Sequence, residues 1–182
     1  MSGLDAEKNL ESTAPREKVP KSTSVRIIVR NEKGQILLVL ERPHEVFLAG
    51  GKNDFQKPWG WGLPGGRLKR RADGTLRETR EHAVDRELKQ EAKHVVSSKY
   101  IAAKIVDKEK NHEIIIFEGQ DPRPCRTTQE EPDIADVGWF DPRIIYGSAE
   151  NPLRVELFSA KFGKKFPVYR RHVNWIQGSF KK

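Results

Sequence analysis

The sequence predicts an α/β fold in which helices pack on a mixed β-sheet, and three features carry that prediction. Short segments rich in Val, Ile and Leu lie at 24–29 and 35–40, and further strand-like segments at 100–106, 113–117 and 137–140. From residue 76 to 93 and just beyond, Ala83, Val84, Leu88, Ala92 and Val95 fall at helical spacing, the stripe of an amphipathic helix. Strand-like segments lie on both sides of that helix, an order that suits a sheet with helices against it better than a bundle or an all-β barrel.

The 182 residues suffice for one domain with a real core and are too few for two. Met1 to Ser22 is rich in Ser, Lys, Glu and Pro; it cannot offset its ordering entropy by burial and is expected to be a mobile tail. The domain is expected to occupy 23–182. Within it, 24–29 and 35–40 flank Asn31, Glu32, Lys33 and Gly34, which predicts a β-hairpin. A loop is expected over 43–57, with Gly50, Gly51, Asn53 and Asp54. In an extended chain Trp59, Trp61 and Leu63 share one side, and Gly60 and Gly62 the other, so a close neighbour must approach the glycine side. After a basic loop punctuated by Gly74 comes the main helix, then strands at 100–106, 113–117 and 137–140. Asp141 and Pro142 open a short helix in the usual cap and first-turn order. Helices are expected at 153–162 and 167–177, the second with Pro167 in its first turn.

Lys and Arg outnumber Asp and Glu by 34 to 26, a formal charge of +8 that favours phosphates, nucleotides or RNA as partners. The excess is scattered over tails and loops, including Lys69, Arg70, Arg71, Lys164 and Lys165, which argues against a dedicated nucleic-acid module. Cys125 is the only cysteine, which excludes an intrachain disulfide and a cysteine-based zinc site. No apolar run nears the ~20 residues that cross a bilayer. A cytoplasmic protein without a membrane partner is the expectation.

Glu87 and Glu91 are four residues apart on the main helix, so their carboxylates project from one face about one turn apart. Oxygen donors of this kind suit magnesium or manganese, although by spacing alone a solvated face paired with Lys and Arg is the plainer reading. Context changes this. Leu63-Pro64-Gly65-Gly66 is followed by Glu78, by Arg86-Glu87-Leu88 after seven intervening residues, and by Glu91. That ordered set resembles the Nudix box, with Gly66 at its opening glycine, Glu78 at its first glutamate, Arg86, Glu87 and Leu88 at its central triplet and Glu91 at its last glutamate.

The resemblance implies a Nudix-like α/β/α sandwich with a mixed β-sheet. It implies Mg2+ or Mn2+ held by Glu87 and Glu91, with the Gly65 carbonyl completing the metal shell and Glu78 paired to Arg86. The implied reaction is hydrolysis of a nucleoside diphosphate linked to another moiety, such as a nucleotide sugar or ADP-ribose. Glu87 and Glu91 are then catalytic, joined by a loop acid before the 137–140 strand: Glu131, ahead of Glu130, with Asp133 and Asp136 as alternatives. Trp59 and Trp61 are candidates to stack on a base, although core positions are the commoner fate of such residues. Arg67 is a candidate phosphate clamp. His82, His94, His112 and His172 show no metal-ligand spacing and are expected to be surface or structural residues.

Three departures from the box stand out. Arg67 to Arg77 is six residues longer than the family spacing and is expected to bulge as a basic loop. Gln90 stands in place of a glutamate, able to offer a metal only a neutral carbonyl oxygen. Lys93 stands in place of glycine, a loss that a longer last helical turn is expected to absorb. A catalytically weak domain that binds a nucleotide or RNA as an adaptor, and an RNA 5′-end pyrophosphohydrolase, are the alternative functions. The oligomeric state is open, a homodimer included.

Overall fold

The computed structural model describes residues 20–47, 53–127, 131–145 and 155–178. In chain order the elements are β1 (Ser22–Val29), β2 (Ile36–Glu41), β3 (His44–Phe47), β4 (Asn53–Lys57), β5 (Gly60–Gly62), α1 (Arg80–Ala92), β6 (His94–Val95), β7 (Ser98–Asp107), β8 (His112–Gln120), β9 (Arg123–Pro124), β10 (Ile134–Phe140), α2 (Pro142–Ile145), β11 (Glu156–Ser159), β12 (Lys164–Pro167) and α3 (Arg170–Gly178). The expected tail lies outside the described residues as far as position 19, and β1 begins at Ser22.

β2 is buried at all six positions, and alternation divides its side chains between two layers. Leu37 and Val39 join Val25, Ile27 and Val29 beneath Ala83, Val84, Leu88 and Ala92 of α1. Ile36, Leu38 and Leu40 join Trp61, Leu63 and, from α3, Val173 and Ile176 on the opposite side. Helices therefore cover both faces, as an α/β/α sandwich requires. The sheet between them is split: β1-β8-β7 and β10-β2-β5 form two three-stranded sheets, and β3-β4, β6-β9 and β11-β12 form two-stranded ones. It is also mixed, because β1 runs parallel to β8 while β7 and β8 are antiparallel.

The expected hairpin of the first two strands is not formed. A tight turn joins them, with Asn31 Oδ1 accepting from the Lys33 and Gln35 amides at 3.0 Å each and Gly34 at φ 73°. Beyond the single Arg30–Ile36 bridge, however, β1 pairs with β8, and β2 with β5 and β10. The reason is competition for edges. The second edge of β1 is taken by the glycine segment: Val25 N–H donates to Gly66 O at 2.9 Å, Ile27 N–H to Pro64 O at 3.0 Å, and Leu68 N–H to Thr23 O at 2.9 Å.

Two further expectations are overturned. Residues 43–57 contain the antiparallel pair β3-β4, paired from His44–Lys57 to Phe47–Asn53 with a register shift between Val46 and Phe47; its polar sequence conceals strands that exist through pairing, and Gly50 and Gly51 lie outside the described residues. The helix expected at 153–162 is, from Glu156 onward, the hairpin β11-β12. Along β11, Leu157 and Ser159 are buried and Glu156 and Phe158 exposed, a period of two rather than 3.6. Pro167 consequently closes β12, and α3 starts three residues later.

α1 starts at Arg80 rather than 76, capped by Thr79, whose Oγ1 accepts from the His82 amide at 3.2 Å. The preceding insertion is a folded excursion: Arg77 N–H returns to Lys69 O and Arg71 N–H to Thr75 O, each at 2.8 Å, around Gly74. No longer turn absorbs Lys93. The lysine itself adopts the left-handed conformation, φ 56° and ψ 39°, and its amide donates to Leu88 O and Lys89 O.

The neighbour expected on the glycine side of β5 is the head of α3. A Cβ on Gly60 would lie 2.4 Å from Tyr169 Cε1, and one on Gly62 2.7 Å from His172 Nδ1. Gly62→Ala is therefore expected to destabilise the fold by about 1–3 kcal/mol through overpacking, read as a lower urea midpoint at unchanged slope. Lys93→Gly should raise that midpoint, since a left-handed residue with a Cβ costs roughly 1 kcal/mol more than glycine; a lower midpoint would show that the lysine side chain contributes more than its backbone strain costs.

Candidate active site

The edge of β1 brings the glycine segment over α1. Because Pro64 O and Gly66 O accept from β1, alternation leaves the Gly65 carbonyl out of that pairing. The Gly65 amide turns instead to α1 and donates to Glu91 Oε2 at 2.7 Å. A Cβ on Gly66 would lie 2.2 Å from Glu87 Oε1, and one on Gly65 2.2 Å from Val25 O. Two glycines are thus what allow this turn to lie on β1 and on both carboxylates at once.

Glu87 is 7% exposed and Glu91 partly buried. Burial raises the pKa of Glu87 against the opposing pull of Arg86. Burial, then the charge of Glu87, pushes Glu91 up to about 8. Two acids held together under these conditions are short of positive charge.

Arg86 organises the other side. Its Nε and Nη2 clasp both oxygens of Glu78 at 3.0 and 2.7 Å, Nη1 reaches Glu87 Oε1 at 2.7 Å, and Nη2 reaches Arg67 O at 3.3 Å. Glu78 Oε1 also accepts from the Lys69 amide at 2.8 Å, so the pair ties the insertion to the helix. The hydrogen bond from Arg86 holds the Glu78 carboxyl below the usual range, and that from Glu78 raises Arg86 further. Gln90 Oε1 accepts from Arg86 Nη1 at 3.3 Å. The one oxygen it offers a metal is therefore engaged with the arginine.

Glu131 stands near enough that its charge is felt by Glu87; Glu130 lies outside the described residues. Of the alternatives, Asp133 is exposed and Asp136 accepts from Ser159 Oγ at 2.5 Å. Trp61 belongs to the core: it is 1% exposed, its Nε1 donates to Leu157 O at 3.1 Å, and its ring meets Phe140 edge-on. Its ring is thus not available to stack on a base. Trp59 packs against Phe162 and Phe166, centroids 5.6 and 5.2 Å away. Arg67 is exposed, bridged through its backbone to Ser24.

Several residues to which sequence reasoning assigned no role in the site crowd the same region. Glu41, at the end of β2, pairs with Lys57, whose ammonium lies 4.3 Å from the centre of the Tyr169 ring. His172, 6% exposed, accepts the Leu63 amide at Nδ1 at 2.7 Å, and burial holds it well below the usual histidine pKa. Arg26 is on β1 across from Gly65. The available signal was a charged residue inside an apolar strand, at Arg26 and again at Glu41. Among the described residues no group of three or more His, Cys, Asp or Glu is arranged to hold a metal. The paired carboxylates are nonetheless oxygen donors of the kind that a hard divalent cation prefers.

No curated protein matches the sequence. Among solved structures, an ADP compounds hydrolase superposes with TM-score 0.58 at 16% identity, over 90% of this chain and 74% of that one. The NUDIX domain of Shewanella oneidensis NrtR, complexed with ADP ribose, gives 0.55 at 16%, over 87% and 86%. A MutT protein from Methanosarcina mazei Go1 gives 0.50 at 19%, over 91% and 99%. At these identities the likeness is one of fold. No helix among the described residues is long and apolar enough to cross a membrane. The NUDIX domain model matches residues 20–166, from the approach to β1 through most of β12 and across every box residue named above, and the chain belongs to that family.

Proposed function

We propose that this Nudix protein is a divalent-metal-dependent hydrolase of the phosphoanhydride bond in a nucleoside diphosphate linked to another moiety, with nucleotide sugars and ADP-ribose as the substrate class. The observation that carries this reading is the pair of buried Glu87 and partly buried Glu91, held by the Arg86 guanidinium and the Gly65 amide and raised in pKa. Magnesium or manganese held by these carboxylates would neutralise phosphate charge and make water a better nucleophile. Arg86 holds Glu87 and the Gly65 amide holds Glu91, and the Gly65 carbonyl is the candidate to complete the metal shell. Glu131, close to Glu87, is the candidate general base. The ligand and activity named for two of the similar structures, ADP ribose and the hydrolysis of ADP compounds, support the substrate class. A binding-only adaptor is favoured by one observation, the engagement of neutral Gln90 with Arg86 in place of a third helix carboxylate.

A phosphate-release screen with magnesium or manganese, run against nucleotide sugars, ADP-ribose, dinucleoside polyphosphates, nucleoside triphosphates and triphosphorylated RNA, tests the proposal. Chelator-sensitive hydrolysis of a diphosphate-linked compound is expected; tight nucleotide binding without turnover on any of them would make the protein an adaptor. Glu87→Gln and Glu91→Gln should each lower turnover by at least about 100-fold, roughly 2.7 kcal/mol of barrier, without loss of fold by circular dichroism. Near wild-type rates in both would remove the carboxylates from the chemistry. Arg86→Ala, which strands Glu78, should cost roughly 2 kcal/mol of stability and reduce activity together with it; a variant unchanged in both would show that the clasp has no role.

A further inference from the structure

Among the described residues, the donors on or next to the glycine turn and its carboxylates include Arg86, the Gly65 amide, Lys57 and Arg26, and the first three are committed. Arg86 is held by Glu78 and Glu87. Lys57 is held by Glu41 and covers the Tyr169 ring. The Gly65 amide is held by Glu91. Arg26 differs. A guanidinium carries five N–H donors, yet among the described residues the hydrogen bond it makes is one long contact, 3.5 Å from Nη1 to the carbonyl of its neighbour Val25. Among the described residues no carboxylate lies within ion-pairing distance of it.

Its placement is tightly determined. The bonds from Val25 N–H to Gly66 O and from Ile27 N–H to Pro64 O bracket Arg26, so that it sits directly across from Gly65. A Cβ on Gly65 would lie 2.9 Å from the Arg26 Cα. Val25 and Ile27 enter the layer under α1, so by alternation the Arg26 side chain leaves the other face of β1, the side on which α3 packs. It is half-buried there. Gly65, directly across from Arg26, donates its amide to Glu91 at 2.7 Å, and a Cβ on the next residue, Gly66, would lie 2.2 Å from Glu87 Oε1. Among the described residues Arg26 thus lies between the glycine turn that carries the box carboxylates and the side on which α3 packs.

Resting on the hydrolase reading above, we propose that Arg26 is a substrate-binding residue whose guanidinium takes up the non-bridging oxygens of the diphosphate group beside Glu87 and Glu91. The planar fork matches a phosphate with two parallel hydrogen bonds, and its weak hydration makes half-burial cheap compared with an ammonium. The charge fits as well. Once a divalent cation offsets the two carboxylates, Arg26 faces the remaining negative charge of the diphosphate with donors that nothing else occupies. The close approach of Gly65 keeps the β1 backbone and the glycine turn in contact, so the phosphate contact and the metal-binding acids are held in one register.

The test compares wild type, Arg26→Gln and Arg26→Lys by calorimetry, with manganese alone and with α,β-methylene-ADP in the presence of magnesium, alongside steady-state kinetics on the best substrate of the screen. Arg26→Gln should weaken the methylene diphosphate at least about 10-fold and raise KM, while manganese affinity stays the same or tightens because a repelling charge has gone. Arg26→Lys, which keeps the charge and loses the fork, should fall between. A merely structural role would instead weaken manganese and diphosphate together, and that result overturns the inference. So does a Gln variant that binds the diphosphate like wild type, in which case the hydrolase reading survives. If the Gln variant does not fold, a Lys variant with wild-type diphosphate affinity overturns it as well. Wild-type protein that binds no methylene diphosphate and hydrolyses nothing in the screen removes both the reading and the inference.

Discussion

The backbone pairing between β1 and Pro64–Gly66 is the contact on which most of this structure turns. It occupies the edge of β1 that a hairpin with β2 would have needed, and β2 goes instead between β5 and β10. The same pairing points two carbonyls of the glycine segment at β1 and turns the Gly65 amide toward Glu91. Sheet topology and carboxylate position therefore follow from one short stretch of hydrogen bonds. A side chain at Gly65 would collide with Val25 O, and one at Gly66 with Glu87, so the sequence at this turn is restricted by contacts on both of its sides.

The electrostatics around the turn form two tiers. Arg86 and Glu78 satisfy one another and are anchored to the insertion through Lys69 and Arg67, which makes them a rigid support. Glu87 and Glu91 are held by single contacts to groups that do not neutralise them fully, and burial raises both. Gln90 belongs to the supporting tier, since its oxygen accepts from Arg86.

A second support comes from the C-terminal layer. Tyr169 N–H donates to Trp61 O, His172 accepts from Leu63 N–H, and both rings press on the glycines of β5. The β11-β12 hairpin delivers the chain to that position, and the Leu157 carbonyl receives the indole N–H of Trp61. This layer fixes the residues immediately before the glycine turn, and so acts on the carboxylates without touching them.

Sequence alone determined the features that depend on neighbours along the chain. The helical stripe and the Glu87–Glu91 spacing lie within α1; the β7-β8 hairpin is joined by a short turn; the alternation of glycine and aromatic residues over 59–63 required a close neighbour because local geometry alone sets which way each position faces. The box was legible because its residues are spaced along one turn and one helix. Tertiary structure decided what depends on competition and on distant partners. Which edge β1 offers is set by whether β2 or the glycine segment pairs with it, and no local propensity ranks the two. The strands at 156–159 and 164–167 pair with each other rather than coil, with Leu157 and Phe166 completing the layer under α3. The strain at Lys93 is accepted because the chain must leave α1 there, and Arg26, Glu41, Lys57, Tyr169 and His172 meet across as many as 146 residues of sequence because long-range packing, not spacing, brings β1, β2, β4 and α3 to one side of the turn.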